Sequence, residues 1–300
     1  MQALIENTNL KILAISAILS FIPVIFWYII IKRKNRKGMA LRFFLAFILA
    51  GIGALYFVLR AEKIVDSYLE SQDLPFFSTF IFIGLLITLF KNIVVQLAGI
   101  RYFKNIDDVI DLSFASALGY TFFENIIFFY ITFSGQNPEA VGPIKMLKYF
   151  LEREFFILPI HLFCSGLFGY FYGLSIFASP ELKKSHKKDS FWYSIMYFLL
   201  SLIFIIPKKF LFIITKITQG TIISVGFYAL FFVIQEYDPY LSDILNLANF
   251  KTPIDERLMP LIAFGFFKIG SLTLFSLMDQ KRRFDNRNML IKKTGVFHKY

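Results

Sequence analysis

Two ionisable side chains stand where this chain is otherwise most apolar. Glu124 lies in ALGYTFFENIIFFY, inside the run Val109–Phe133, and His161 lies in REFFILPIHLFCSGLFGYFYG, inside Phe155–Phe177. A carboxylate and an imidazole are the pair that general acid–base chemistry uses, one taking a proton from a nucleophile and the other giving one to a leaving group. A charged group deep in hydrocarbon costs several kcal/mol unless it is partnered or borders water, which makes each a candidate site residue. Helical spacing groups further polar residues with them. Ser116, Tyr120 and Glu124 share one face, with Gly119 beside them. His161, Ser165, Gly169 and Gly173 share another. Gly84, Thr88 and Lys91 line a third, and Lys268 sits near the middle of a later apolar run.

The elements that must hold these residues are membrane helices. Hydrophobic residues make up 57% of 300, and 40 are Phe, more than a soluble domain can keep from water. Runs long enough to cross a hydrocarbon core of about 30 Å recur along the chain. They fall at Ile12–Ile31, Phe43–Leu59, Phe76–Ile100, Val109–Phe133, Phe155–Phe177, Phe210–Ile234 and Leu258–Met278. The segment Phe191–Ile206 is short and ends in Pro207-Lys208-Lys209, so it reads as a re-entrant or interfacial helix, with a full eighth crossing as the alternative. The fold expected is all-α, a polytopic transmembrane bundle of 7–8 spans. It forms one domain over residues 1–280, followed by a basic cytoplasmic tail over 281–300.

Charge agrees with that class. The net charge is +11, but Lys and Arg cluster at Lys32–Lys37, Lys183–Lys188 and Lys281–Arg287, each directly after an apolar run. This is the pattern of cytoplasmic loops, and it puts the amino terminus outside and the carboxyl terminus inside a multi-pass protein of the cell membrane. The partner of such a basic face is the lipid bilayer rather than nucleic acid. Loops this short hold no soluble catalytic domain, which excludes a nucleotide-driven pump within the chain. The first run reads as a retained anchor, since it is too long for a cleavable signal and has no positive front end. Cys164 is the only cysteine, so neither an internal disulfide nor a cysteine metal cluster can form.

Depth narrows the grouping. At a rise of about 1.5 Å per residue, Glu124 lies about 14 Å from the outer end of its run, His161 about 9 Å and Lys268 about 15 Å. These three are placed to meet in the outer half of a bundle, with Lys91 deeper. Each feature also has a purely structural explanation. Ser165-xxx-Gly169-xxx-Gly173 is a small-residue stripe of the kind that lets helices approach closely. Glu124 can pair with Lys91 or Lys268 and hold the bundle in register. His161 can be a hydrogen-bonded core histidine, and Asn125 can bond across helices.

The order and spacing of these residues resemble the PrsW-type intramembrane proteases. The run Asp108-xxxxxxxxxx-Gly119-Tyr120-xxx-Glu124-Asn125-xxxx-Tyr130 resembles that family's second motif, in which an aromatic residue stands four before a glutamate that is followed by Asn. Arg153, Pro159, His161, Ser165 and Gly169 resemble its Arg…Pro…His segment, and Lys91 matches the lysine that ends its first motif, Glu-Glu-x-x-Lys. The resemblance spans roughly Phe76–Gly173. It implies Glu124 and His161 as the catalytic pair, with Lys91, Asn125, Tyr120, Arg153, Ser165 and Thr88 in support. The departures are specific. Ile87 and Thr88 stand where the family has its paired glutamates. The run Phe210–Ile234 has no histidine for the last motif, and Tyr228 is nearest by spacing.

The resemblance implies a protein that acts on transmembrane or membrane-adjacent polypeptides, either by cutting them or, as a catalytically dead relative, by holding them. A non-enzymatic membrane scaffold and a small-solute carrier are the alternatives, although no internal repeat of the kind carriers show is present. The cofactor is unassigned: catalytic zinc takes three protein ligands as a rule, and only Glu124 and His161 offer themselves.

Overall fold

The computed structural model describes residues 10–32, 40–56, 76–99, 102–135, 143–153, 157–177, 194–195, 198–199 and 208–247. Among them the chain forms seven helices and no strand: α1 (Leu10–Lys32), α2 (Ala40–Tyr56), α3 (Phe76–Gly99), α4 (Ile106–Gly135), α5 (Pro143–Glu152), α6 (Leu158–Phe177) and α7 (Lys208–Leu247). Five of these, α1, α3, α4, α6 and α7, contain stretches long and apolar enough to cross a membrane, and α2 is apolar but shorter. The expected run Leu258–Met278 with Lys268, the tail 281–300, and all but four residues of Phe191–Ile206 lie outside the described residues.

Burial is inverted relative to a soluble protein. Leu10, Ile18, Phe26, Leu41, Phe44 and Leu97 are exposed, while Lys91, Asn92, Asn125, His161 and Lys216 are buried. Only a hydrocarbon surround makes that arrangement favourable, because apolar side chains facing lipid lose nothing and the polar ones satisfy each other inside. The protein is a multi-pass membrane protein.

Helix α4 is the hub, packing against α1, α2, α3 and α6, and α7 closes the bundle against α3 and α6. Its start is fixed locally. Asn105 Oδ1 accepts the Asp108 amide at 2.9 Å, and Asp108 Oδ2 reaches back to the Lys104 amide at 2.7 Å, a reciprocal cap that begins the helix ahead of the apolar run. At 30 residues α4 is about 45 Å long, enough to span and emerge on both sides.

Two close approaches set the bundle's geometry. A side chain at Gly119 would run into the Phe47 backbone, so α4 and α2 touch main chain to main chain there. One at Gly169 would strike Ser113 and Ile110. The small-residue stripe on α6 therefore does what packing requires, bringing α6 against α4 so that His161, two turns away, is carried beside Glu124.

Two elements differ from the sequence reading. Helix α5 was not anticipated. Its Met146, Tyr149 and Phe150 pack against Phe129, Phe133 and Ile12. Helix α7 runs to Leu247, well beyond Ile234. Hydropathy marks where an apolar stretch ends, and the helix continues through the polar residues that follow.

Replacing Gly119 with Ala should destabilise the bundle by about 1–3 kcal/mol, through forced separation of α2 and α4. Gly226→Ala, which meets nothing within 4 Å, should stay within about 0.5 kcal/mol of the parent. Unfolding in mixed micelles compares the two. Equal stability of both variants would refute the close contact.

Candidate functional site

One polar chain runs through the middle of the bundle, and each of its links comes from a different helix or from the end of one. Glu124 and Asn125 project from α4 toward Arg153, which directly follows α5. Arg153 Nη2 donates to Glu124 Oε1 at 2.9 Å, and its Nε donates to Asn125 Oδ1 at 2.8 Å. The guanidinium also lies over the Phe128 ring, 4.5 Å from its centre. The second carboxylate oxygen, Oε2, is 3.1 Å from His161 Nε2. That is hydrogen-bond distance, but the alignment is poor and Oε2 makes no well-formed hydrogen bond.

His161 continues the chain on α6. Its Nδ1 is 2.7 Å from Lys91 Nζ and 2.8 Å from the Tyr228 hydroxyl, and Lys91 donates to that hydroxyl at 2.9 Å. An ammonium can only donate, so a protonated Lys91 makes Nδ1 the acceptor and leaves the ring proton on Nε2, facing Glu124. Tyr120 flanks the group: its ring centre is 5.3 Å from the His161 ring and 4.5 Å from Lys91 Nζ, close enough for cation–π attraction. His161, Tyr120 and Tyr228 are each 1% exposed.

Local features hold these side chains in place. Ser224 Oγ donates to the Cys164 carbonyl at 2.9 Å, pinning α7 to α6 one turn before Tyr228. Ser116 Oγ reaches the Lys91 carbonyl at 3.4 Å across α4 and α3. Beside Lys91 and Tyr228 lies a small cavity with room for about one water molecule. Thr88 and Ser165 both line it, and neither hydroxyl has a hydrogen-bond partner.

All eight residues singled out from the sequence, Glu124, His161, Lys91, Asn125, Tyr120, Arg153, Ser165 and Thr88, fall in or beside this chain. The expected pairing is revised. The ion-pair partner of Glu124 is Arg153, whereas Lys91 bonds His161, and Lys268 lies outside the described residues. Lys91, expected deeper than Glu124 and His161, reaches His161 and Tyr228 with its Nζ. Two participants were missed or underrated. Tyr228 had only spacing to recommend it. Asn92, buried beside Lys91 and lining the cavity, gave no sign beyond being an amide in an apolar run.

The sequence profile of the PrsW family intramembrane metalloproteases matches residues 39–233, well over half of the chain and all of the site. No curated protein and no solved structure matches. The family description names a metal, and the residues present do not fit one. Among the described residues no three His, Cys, Asp or Glu side chains come together. At the site only two ligating groups face each other, Glu124 Oε2 and His161 Nε2 at 3.1 Å, one short of the three that catalytic zinc takes as a rule.

Arg153→Ala should lower stability by about 2–4 kcal/mol, because it strands a largely buried carboxylate. Adding Glu124→Gln should recover part of that loss, with a coupling of about 1–3 kcal/mol in a double-mutant cycle; additive effects would refute the pair. A chelator in excess should leave the unfolding temperature of the full chain unchanged. A drop restored by zinc would show a metal site.

Proposed function

The chain belongs to the PrsW family of intramembrane metalloproteases, and we propose that it is a member that grips membrane-embedded polypeptide without cutting it. One observation carries the non-cutting half: the polar centre is turned in on itself. Hydrolysis of a peptide bond needs an activated water, donors for the developing oxyanion and a proton for the leaving amine. Here one Glu124 oxygen is held by Arg153, the other faces His161, and the remaining His161 nitrogen is engaged by Lys91 and Tyr228. Where the resemblance calls for paired glutamates, the chain carries Ile87, buried in apolar packing, and Thr88. Tyr228 stands nearest the place of the last histidine and seals the group. The gripping half rests on the family relation and on the retained helical cradle.

A second reading, a reduced hydrolase, is favoured by one feature. Glu124 Oε2 lacks a well-formed hydrogen bond and lies 3.1 Å from His161 Nε2, a carboxylate–imidazole dyad that supplies one base and one acid. The carrier reading is weakened by α3 and α4, which run unbroken past Lys91 and Glu124, whereas carriers bind at interrupted helices. We orient the chain with its amino terminus outside and its carboxyl terminus cytoplasmic, on the basic clusters that follow its apolar runs.

The test is reconstitution of the full chain into vesicles with a panel of single-span polypeptides carrying photo-crosslinkers, read by intact mass. The expected result is adducts at full polypeptide mass and no fragments, unchanged by Glu124→Gln. Fragments made by the parent and lost in Glu124→Gln would overturn the non-cutting reading in favour of the dyad. Absence of any adduct across the panel would remove the gripping half.

A further inference from the structure

We propose that the cavity between α3, α4, α6 and α7 is a binding site for a small monovalent anion of halide size, held by Lys91, Thr88, Asn92 and Ser165. The inference does not depend on whether the chain cuts polypeptides.

The chemistry of the lining points to an anion. Thr88 Oγ1 and Ser165 Oγ are buried without hydrogen-bond partners, although their residues are only 5% and 7% exposed. Ser165 lies near enough to the Tyr228 hydroxyl to interact with it but makes no well-formed bond, so Thr88 carries more of the argument. An unsatisfied hydroxyl in a bundle core costs about 1–3 kcal/mol, which a bound species would remove. Lys91 has three N–H donors and spends two, on His161 and Tyr228. Asn92 uses its carbonyl oxygen to accept from Gln96 at 3.3 Å, leaving its amide nitrogen to donate. No carboxylate is among the lining residues. Two unpartnered hydroxyls, an ammonium and an amide thus belong to residues that line one small space.

Charge selects an anion over water. When Lys91 carries its proton, the connected chain holds two cations, Arg153 and Lys91, against one carboxylate, Glu124. A surplus positive charge in a low-dielectric core is unfavourable. Water would satisfy the hydroxyls and leave that surplus. An anion in contact with Lys91 satisfies both, and by linkage it favours the protonated lysine. Size then limits the class. Room for about one water shuts out phosphate, sulfate and a peptide terminus; a single halide ion, slightly larger than water, is seated as the flexible Lys91 side chain gives way.

The experiment uses the full chain purified in sodium gluconate. Its unfolding temperature is followed as gluconate is replaced by chloride or bromide at constant ionic strength. A saturable rise of about 3 °C or more is expected with either halide. Thr88→Val should weaken the apparent halide affinity about tenfold, and Thr88→Ser should retain it. Crystals grown in bromide should show one anomalous peak beside Lys91 Nζ and Thr88 Oγ1, a readout that stands even where Thr88→Val fails to fold. Equal stability in gluconate and halide would overturn the proposal. So would a halide effect untouched by Thr88→Val, or density for water alone in bromide-grown crystals.

Discussion

The constraint on which this structure depends is the solvation of one carboxylate. Glu124 projects from the central helix of a membrane bundle, where an unpaired charge is not tolerated. Arg153 supplies a fork whose Nη2 takes the Glu124 carboxylate and whose Nε takes Asn125, as a guanidinium can and an ammonium cannot. Holding that fork at the right depth requires α5, a short amphipathic helix laid across the end of α4 so that the residue after it points inward. A large part of the local architecture around α4 thus follows from two adjacent residues, Glu124 and Asn125.

The opposite side of the chain obeys the same logic with different groups. His161 links the carboxylate to Lys91, and Tyr228 braces both. Neither side stands alone. The α6 stripe must bring main chains together for His161 to reach Glu124, and the α7 contact through Ser224 must hold for Tyr228 to reach Lys91. Close backbone packing and polar pairing are therefore one device here: small residues shorten the distances over which the few polar groups must meet.

What the sequence revealed, and what it hid, follows from that device. Spans were readable because apolar runs are long and uninterrupted, and the polar stripes on α3, α4 and α6 were readable because helical spacing puts residues four apart on one face. The identity of the partner of Glu124 was not readable. Pairing across helices depends on how far a long side chain reaches and on where a connecting segment lies, and neither leaves a periodic trace. Arg153 stood outside every expected span, so depth arithmetic did not consider it. Tyr228 was marked by its spacing alone, because one tyrosine among 15 in so aromatic a chain carries little further signal until a lysine and a histidine are placed against it.

The asymmetry between removing a charged partner and removing a neutral one decides which residues of the site the fold itself needs. Deleting Glu124 alone would strand Arg153, and deleting Arg153 alone would strand Glu124; single losses of this kind destabilise a buried network strongly. At position 87 the side chain faces apolar packing, where Ile87 joins the core beside Val94 and Val95 and leaves no polar group unpaired. Position 88 faces the cavity, where a hydroxyl stands without stranding a charge. Acidic residues at those two positions are the ones the bundle can do without. Glu124 and Arg153 hold each other in place, so the fold itself retains that pair whether or not a peptide bond is ever broken there.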